Sequence, residues 1–475
     1  MMAHRSSFWP LFLLLCVACG GRARLARPAD PERAAPSTLV AGVMLFDGQS
    51  DALRGPVDVL LENGRVAAIG EPGTIAAPAA VKLAGAGRTL LPGLIDCHVH
   101  FGAGGPFWKR ELPDEGDVSA ALLYAGVTTI LSAGAEIDVP ALRERIALGR
   151  EAGPRIFRAT RIFTAEGGHP VPLYTVAVPW GLRGYFFSRA LRQVTTPEEA
   201  REAVRDELAS NPADFVKVVY DDIPAGTPHL GQDALKAMVE EARRHDVRVG
   251  VHVGSAQDAG EAAEAGASLL MHTPWDDVFT DEQAARVAAT KVPVVTTRRI
   301  FSAILGSLRD PLEFTELERQ VMLPGADPAF RARPSPLRID GFPDDYVDQM
   351  PGLDRNLGEN VKRLRQAGVT LLVGTDTGIP AVFPGAAVHE ELKSLVALGI
   401  PNAEVLRMAT SGPARFFSAN AKFGTVEPGA LADLLLVEGD PLQDITATQR
   451  IVEVFQAGRR VERWKAPAAS VTARP

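Results

Sequence analysis

Residues 91–100 read Leu91-Pro92-Gly93-Leu94-Ile95-Asp96-Cys97-His98-Val99-His100, an apolar run that ends in two histidines separated by one residue. We interpret it as the first strand of a barrel. Side chains alternate between the two faces of a strand, so His98 and His100 point the same way while Cys97 and Val99 point the other way. Two imidazoles on one face can share a metal ion. Histidines this close are equally compatible with ordinary hydrogen-bonded core residues, and the choice depends on the rest of the chain.

Further along the chain, strand-like apolar runs alternate with helical stretches. This alternation is typical of an α/β fold, a parallel (β/α)8 TIM barrel. Helix signals lie where such a fold needs them: Thr196-Pro197-Glu198-Glu199 has the pattern of a capping box with proline at the first helical position, and it predicts a helix to Ser210. Seven barrel strands are predicted after the first, at 126–131, 155–158, 214–219, 247–252, 268–272, 292–296 and 369–376.

The two ends of the chain differ from the predicted barrel, because both contain short strand-like segments separated by turns. Asn63-Gly64 is a strong hairpin signal, since both residues tolerate positive φ. Neither end has enough strands to bury its own apolar faces. We therefore predict that segments 38–91 and 423–465 pair into one small β-sandwich beside a barrel domain at 92–422. The predicted strands of these two segments are 39–45, 57–62, 66–69, 432–437 and 451–458.

The beginning of the chain predicts export. The apolar run 8–18 follows a basic start and is too short to span a membrane, which indicates a signal peptide at 1–18. Val17-Ala18-Cys19-Gly20 resembles a bacterial lipobox, in which Cys19 would be acylated after cleavage; simple cleavage is the alternative. Segment 19–37 has no apolar period and is predicted to be a tether. The expected location is the bacterial cell envelope, on the periplasmic side of the membrane or at the cell surface.

Composition narrows the choice of partners. The chain has 475 residues, with 50 Lys and Arg against 58 Asp and Glu, a formal net charge of −8. This balance argues against nucleic acid, because no basic stripe is available to neutralise phosphates. The expected partners are a small-molecule substrate and a membrane reached through the lipid, and the oligomeric state stays open, a homo-oligomer included. Cys97 is the one cysteine left in the fold, so no disulfide is expected.

Polar residues end several of the predicted barrel strands. They are His98 and His100 in strand one, Lys217 in strand four, His252 in strand five, His272 in strand six and Asp376 in strand eight. Strand ends meet at one face of a parallel barrel, so these side chains should converge. Burying these side chains together would cost much free energy unless they bound metal or paired among themselves. The irregular segment 301–350 is expected to cover or line this face.

The order of these residues, within 91–100 and Gly374-Thr375-Asp376-Thr377-Gly378, resembles the amidohydrolase superfamily, over about residues 38–463. Gly167-Gly168-His169 and Lys217 are similar to its imidazolonepropionase-related, prolidase-like branch. One departure is Gly254, where that branch often has a second histidine two positions after the strand-five ligand.

The resemblance implies two divalent metal ions, most often zinc. One ion would be held by His98, His100 and Asp376, and the other by His252 and His272, with Lys217 bridging both as a CO2-derived carbamate. The alternative for Lys217 is a buried lysine paired to an acid. A hydroxide bridging the ions would be the nucleophile, and Asp376 would carry its proton to the leaving group. His169 and Tyr220 are further candidate catalytic groups that could bind or polarise a substrate carbonyl, or else make ordinary loop hydrogen bonds.

The function expected from this resemblance is metal-dependent hydrolysis of a C–N bond, in a dipeptide (Xaa-Pro-like) or an N-acyl amino acid. Arg298 and Arg299 follow strand seven and could receive a substrate carboxylate or simply be solvated. The same site could act on a lactone, a cyclic amide or a phosphotriester. A non-catalytic surface lipoprotein that kept the barrel as a scaffold is a further alternative. A mononuclear deaminase is disfavoured, because Val253-Gly254-Ser255 follows His252 where such enzymes in the superfamily carry a glutamate.

Overall fold

The computed structural model describes residues 26–27, 36–102, 104–106, 108, 114–134, 138–323, 325–335, 337, 339 and 341–463. The predicted signal peptide, Cys19 and most of the predicted tether lie outside these residues. Within the described part of the chain, no helix is both long enough and apolar enough to cross a membrane.

Six strands precede the barrel, five of them in one sheet. They are β1 (Ala26–Arg27), β2 (Thr38–Leu45), β3 (Arg54–Glu62), β4 (Arg65–Gly70), β5 (Val81–Ala84) and β6 (Arg88–Pro92). The hairpin predicted at Asn63-Gly64 joins β3 to β4, and both residues have positive φ there. The short β1 lies apart from this sheet and pairs with the end of the described chain.

The central strands form the barrel. They are β7 (Leu94–Val99), β8 (Val127–Ser132), β9 (Arg155–Ala165), β10 (Leu191–Val194), β11 (Phe215–Val219), β12 (Arg248–His252), β13 (Leu269–Leu270), β14 (Val294–Val295) and β15 (Leu371–Leu372). Eight of them run parallel in the order β7-β8-β9-β11-β12-β13-β14-β15. The amide of Cys97 donates to the Val373 carbonyl (2.9 Å) and that of Asp376 to the His98 carbonyl (2.9 Å), which brings the eighth strand back to the first. The predicted TIM barrel is confirmed.

The sequence did not predict β10. This strand pairs in parallel with the far end of β9, in the register Leu191 to Ile162 and Val194 to Ala165. The reason is the length of β9, which runs well past the predicted 155–158 and pairs with β10 beyond the point, Arg158, where its pairing with β8 ends.

The last strands return to the sheet of the first ones. They are β16 (Leu434–Glu438), β17 (Ile451–Gln456), β18 (Arg459–Arg460) and β19 (Glu462–Arg463). β16 pairs antiparallel with β6 in the sheet order β18-β17-β16-β6-β2-β3-β4, with β5 beside β2. Val40, Val59, Leu434 and Phe455 share one buried core. A sheet domain built from both chain ends is therefore confirmed.

Helices surround the barrel. They are α1 (Glu115–Tyr124), α2 (Val139–Ala147), α3 (Val171–Ala177), α4 (Arg183–Ala190), α5 (Pro197–Ser210), α6 (Gln232–Arg244), α7 (Ala256–Glu264), α8 (Asp281–Thr290), α9 (Ile300–Ser307), α10 (Glu316–Val321), α11 (Ala326–Arg331), α12 (Tyr346–Gln366), α13 (Ala386–Ala397), α14 (Asn402–Met408) and α15 (Ser411–Phe417). α5 begins with the predicted capping box: the Glu199 amide donates to Thr196 Oγ1 (3.2 Å), and the Thr196 amide to Glu199 Oε2 (3.3 Å).

His389 on α13 connects the barrel to the sheet domain. Its ring is buried; Nε2 donates to the Ala125 carbonyl (2.8 Å) and Nδ1 lies 3.0 Å from Thr448 Oγ1. Burial lowers the pKa of this histidine to about 4, although the hydrogen bond to Ala125 opposes the shift. The folded protein therefore keeps His389 neutral at pH values where the unfolded chain protonates it.

We expect His389 to make the protein less stable as the pH falls from 6.5, its ordinary pKa, towards about 4. The unfolded state takes up a proton in this window that the folded state excludes, which amounts to about 3 kcal/mol over the whole range. Melting temperatures of wild type and His389→Gln between pH 4 and 7 measure the effect. The variant should show the shallower dependence, with His245→Gln, on the surface, as control. Equal slopes for wild type and His389→Gln would contradict it.

Candidate metal centre

Three ligand atoms meet where the first strand of the barrel lies beside the eighth. Nε2 of His98 is 3.4 Å from Nε2 of His100 and 3.4 Å from Oδ1 of Asp376, and Nε2 of His100 is 3.6 Å from the same oxygen. Ligands about 2.1 Å from a tetrahedral zinc ion lie about 3.4 Å from one another. The three atoms therefore have the spacing of co-ligands on one divalent ion.

Hydrogen bonds to the backbone orient both imidazoles of this group. His98 Nδ1 donates to the Met271 carbonyl (2.7 Å), and His100 Nδ1 donates to the Gly134 carbonyl (3.0 Å). Donation from Nδ1 leaves the lone pair on Nε2, the nitrogen that faces Asp376.

The buried carboxylate of Asp96 connects the first strand to the eighth through hydrogen bonds. Its carboxylate accepts from the His98 amide (3.1 Å), the Thr375 amide (3.0 Å) and the Thr375 hydroxyl (2.6 Å). Burial raises the pKa of Asp96 to about 7, while the bonds from Thr375 and His98 act in the opposite direction. Asp376 follows in a left-handed backbone conformation, with φ of +57°. The side chains that meet at the site thus come from two strands joined through one carboxylate.

Four imidazoles stand side by side in an imidazole row, His98–His272–His252–His169. Consecutive ring centroids are 4.4, 4.3 and 4.9 Å apart. Burial lowers the pKa of His98 and His272 well below the ordinary value, and that of His252 to about 4. His98, His272 and His252 are thus held neutral, the form in which imidazole ligates a metal ion.

One nitrogen of the row makes no hydrogen bond within the described part of the chain. His272 Nδ1 lies 3.0 Å from Thr297 Oγ1, but its Nε2 is buried and has no hydrogen-bond partner there. A buried nitrogen without a partner is costly, and a bound cation would satisfy it.

Lys217 lies among these rings. It belongs to β11, its side chain is fully buried, and its charge helps to lower the pKa of His98, His252 and His272. The structure thus brings the six predicted ligand residues to one end of the barrel, and His169 with them.

Tyr220 is the exception among the predicted site residues. Its hydroxyl donates to Glu261 Oε2 on α7 (2.5 Å), and its ring contacts His229 (4.4 Å between centroids). This hydroxyl is thus directed at a helix. Tyr220 is an odd number of positions from Lys217, which places the two side chains on opposite faces. The catalytic role of Tyr220 stays a prediction.

Asp221, which was not among the residues predicted from the sequence, contacts two rings of the imidazole row. Its Oδ1 accepts from His169 Nδ1 (2.9 Å), and its Oδ2 lies 2.6 Å from His252 Nε2. Burial alone would raise the pKa of Asp221, but the neighbouring His169 and His252 hold it below its usual range. The signal was available, because Asp221 lies four positions after Lys217 and so shares its face.

Arg298 and Arg299 are already paired with carboxylates. Arg298 Nη2 lies 3.1 Å from Asp354 Oδ2, and Arg299 contacts Glu318 (3.7 Å) and Glu390 (3.8 Å). A substrate carboxylate would have to displace one of these internal partners.

Aromatic side chains line one side of the site. Trp275 packs against His272 (5.2 Å between centroids), His252 (5.9 Å) and Phe301 (5.7 Å). Phe301 belongs to α9, within the segment 301–350 that the sequence predicted to cover or line this face. Tyr346, in the same segment, lies close enough to Asp276 and Asp221 for their charges, together with burial, to raise its pKa.

Neutral imidazoles, a lysine and carboxylates buried at the ends of parallel barrel strands define a class of proteins, the metal-dependent barrel hydrolases. Residues 89–461 match the model of the amidohydrolase family, and the chain belongs to this family. It is accordingly a hydrolase that acts on carbon–nitrogen bonds.

Individual proteins resemble parts of the chain of different length. Ochratoxinase of Aspergillus niger is 25% identical over 400 residues, which cover 78% of this chain and 75% of the relative. Enamidase of Eubacterium barkeri is 27% identical over 217 residues, 46% of this chain and 49% of the relative. Among solved structures, a Xaa-Pro dipeptidase with bound methionine is 22% identical and superposes with a TM-score of 0.71, covering 90% of this chain and all of that one. The A. niger ochratoxinase structure is 20% identical, with a TM-score of 0.68 over 90% of this chain and 96% of that one.

Proposed function

We propose that this protein hydrolyses the amide bond of a small substrate, a dipeptide (Xaa-Pro-like) or an N-acyl amino acid. The observation that carries the proposal is the group of His98, His100 and Asp376 beside the imidazole row, with the spacing of metal ligands. Two similar proteins are named for their substrates, one for ochratoxin and one for Xaa-Pro dipeptides.

In the proposed reaction, the metal ligands, Asp376 and the aromatic side chains have different roles. Divalent ions held at the row, zinc in our proposal, would polarise a scissile carbonyl and lower the pKa of a water molecule. Asp376 is the proton carrier to the leaving nitrogen, because its carboxylate combines contact with His98 and His100 with a partly exposed side chain, 14% accessible. Trp275 and Phe301 form an apolar wall that limits competing water on one side.

We further propose that CO2 converts Lys217 into a carbamate that bridges two ions. An ammonium group cannot ligate a cation, and a buried positive charge beside three imidazoles would be unfavourable. A carbamate would reverse that charge and supply oxygen ligands beside His98, His252 and His272.

A substrate screen tests the proposed activity. We expect the best substrates to be dipeptides or N-acyl amino acids, with kcat/KM of at least about 10⁴ M⁻¹s⁻¹. The screen should place these amides beside cyclic amides, lactones and phosphotriesters, with chelator-treated protein as control. Turnover of a lactone or phosphotriester several orders of magnitude above that of every amide would overturn the substrate proposal. No turnover together with no bound metal would favour the scaffold alternative.

We also propose that a lipid on Cys19 anchors the mature protein to the cell envelope. The Val17-Ala18-Cys19-Gly20 junction after the apolar run 8–18 supports this. Cys19→Ser is expected to release the protein into the soluble fraction or to block its processing, as fractionation and mass spectrometry of the amino terminus would show. Wild-type protein that is freely soluble, with an unmodified amino terminus, would exclude the anchor.

A further inference from the structure

A buried threonine after the seventh barrel strand has a strained backbone. Thr297 lies two residues beyond the end of β14, is fully buried and has φ of +38°. Positive φ is rare for β-branched residues, because their side chain then crowds the backbone. Such a conformation persists only where the surrounding structure imposes it, and residues of this kind concentrate at functional sites. Thr297 is therefore held in this conformation by its neighbours.

One carboxylate holds the residues on both sides of Thr297. Glu391, on α13, accepts hydrogen bonds from the Thr296 hydroxyl (2.5 Å), the Arg298 amide (2.8 Å) and the Arg299 amide (2.9 Å). Glu391 is fully buried, so these three donors replace the water that a carboxylate would otherwise bind. A single side chain thus fixes the backbone before and after Thr297.

The side chain of Thr297 faces the metal centre. Its Oγ1 lies 3.0 Å from Nδ1 of His272, whose buried Nε2 makes no hydrogen bond within the described part of the chain. Donation from Nδ1 to the hydroxyl oxygen leaves the lone pair of the ring on Nε2, the nitrogen that would ligate a cation. The position of the hydroxyl follows from the backbone of Thr297, and that backbone depends on Glu391.

We propose that Glu391 is a positioning residue of the metal centre. It holds Thr297 where the hydroxyl accepts from Nδ1 of His272, and it thereby fixes the tautomer and the orientation of that ligand. The hydrogen bonds described for the Glu391 carboxylate all come from residues 296–299, so its effect on a bound ion passes through this turn. The inference rests on the proposed function in one respect, namely that His272 is a metal ligand.

The alternative is a carboxylate that only stabilises the start of a helix. The amides of Arg298 and Arg299 directly precede α9, and the first amides of a helix have no partners within it. Removal of such a carboxylate would lower the melting temperature of the protein. It would leave the affinity for metal unchanged, because His272 would keep its orientation.

A double-mutant cycle on the affinity of the purified protein for Co(II), followed by visible absorption, separates the two roles. Thr297→Val removes the hydroxyl, and Glu391→Gln keeps the shape of the side chain but turns one acceptor into a donor. We expect each to weaken the binding of one of two Co(II) equivalents by about 10- to 100-fold. The double variant should bind no more than about twofold more weakly than Thr297→Val, because Glu391 acts through Thr297. Losses that multiply would overturn the proposal.

Two control variants accompany the cycle. Thr297→Ser keeps the hydroxyl and should retain the affinity of wild type. Glu390→Gln changes the neighbouring glutamate on α13, which accepts from Lys393 (3.3 Å) and Gln449 (2.8 Å), and it should retain that affinity as well. Wild-type affinity in folded Glu391→Gln would show that the carboxylate only stabilises the start of α9, and would overturn the proposal.

A further variant covers a failure of Glu391→Gln to fold. Thr296→Val leaves Glu391 in place and removes one of the three donors to its carboxylate. We expect it to weaken the binding of the same Co(II) equivalent by about tenfold, and to have no effect in the Thr297→Val background. A loss that persists in that background, or no loss in either, would contradict the positioning role.

None of these measurements uses a substrate, so the two proposals can fail separately. Wild-type Co(II) affinity in Glu391→Gln, with amide hydrolysis intact, removes the positioning role and leaves the proposed function. The expected cycle in a protein that hydrolyses no amide retains the positioning role and removes the substrate class. Wild-type protein that binds no Co(II) would overturn both proposals.

Discussion

Lys217→Ala is expected to lose metal and activity together while the barrel still folds. If Lys217 is the carbamate shared by both ions, alanine removes a ligand from each, and the several kcal/mol of charge stabilisation that a metal supplies correspond to a loss in kcat/KM of about a thousandfold or more. Metal content by mass spectrometry and turnover of the best amide from the screen measure the effect. A short-chain carboxylic acid should restore part of both, since it can occupy the space of the missing carbamate.

The matched control is Lys236→Ala on α6, where the lysine is largely exposed, and it should leave both quantities unchanged. One tightly bound ion, retained activity and no rescue in Lys217→Ala would contradict the bridging role.

Asp376→Asn is expected to lower kcat by about a thousandfold, within the range for loss of a positioned proton carrier. The amide keeps the shape of the carboxylate but cannot carry the proton, and it ligates a cation only weakly. The backbone should be undisturbed, because Asp376 has φ of +57° and asparagine tolerates this left-handed region as well as aspartate does. The melting temperature of the metal-free protein should therefore match wild type.

Two further variants separate chemistry from folding. Asp376→Ala places a side chain that disfavours positive φ at the same position, and we expect it to unfold more easily by about 1 kcal/mol. Asp348→Asn, an exposed position on α12, is the control for charge and should behave like wild type. Wild-type kcat and metal content in Asp376→Asn would show that Asp376 is neither ligand nor proton carrier.

The fold was largely predictable from the sequence because its signals are local. The eight barrel strands appear as apolar runs at a repeating distance, and the capping box at Thr196 and the hairpin at Asn63-Gly64 each need only a few adjacent residues. The union of both chain ends was predictable for a simpler reason: neither end could bury its apolar faces alone. The strand β10, a third partner of β9, was missed, since nothing in 191–194 marks it as a neighbour of β9 rather than a loop.

The order of the residues was enough to predict the barrel, the sheet domain from both ends and the convergence of the histidines, Lys217 and Asp376 at one end of the strands. Side chains alternate along every strand, and the strands of a (β/α)8 barrel all run parallel, so these features follow from residue order once the barrel is predicted. Long-range packing, by contrast, directs the Tyr220 hydroxyl to Glu261, places Asp221 between His169 and His252, and lets Asp96 connect the first strand to the eighth. Such contacts depend on which side chains from distant segments come within about 3 Å of one another, and no local pattern encodes that distance.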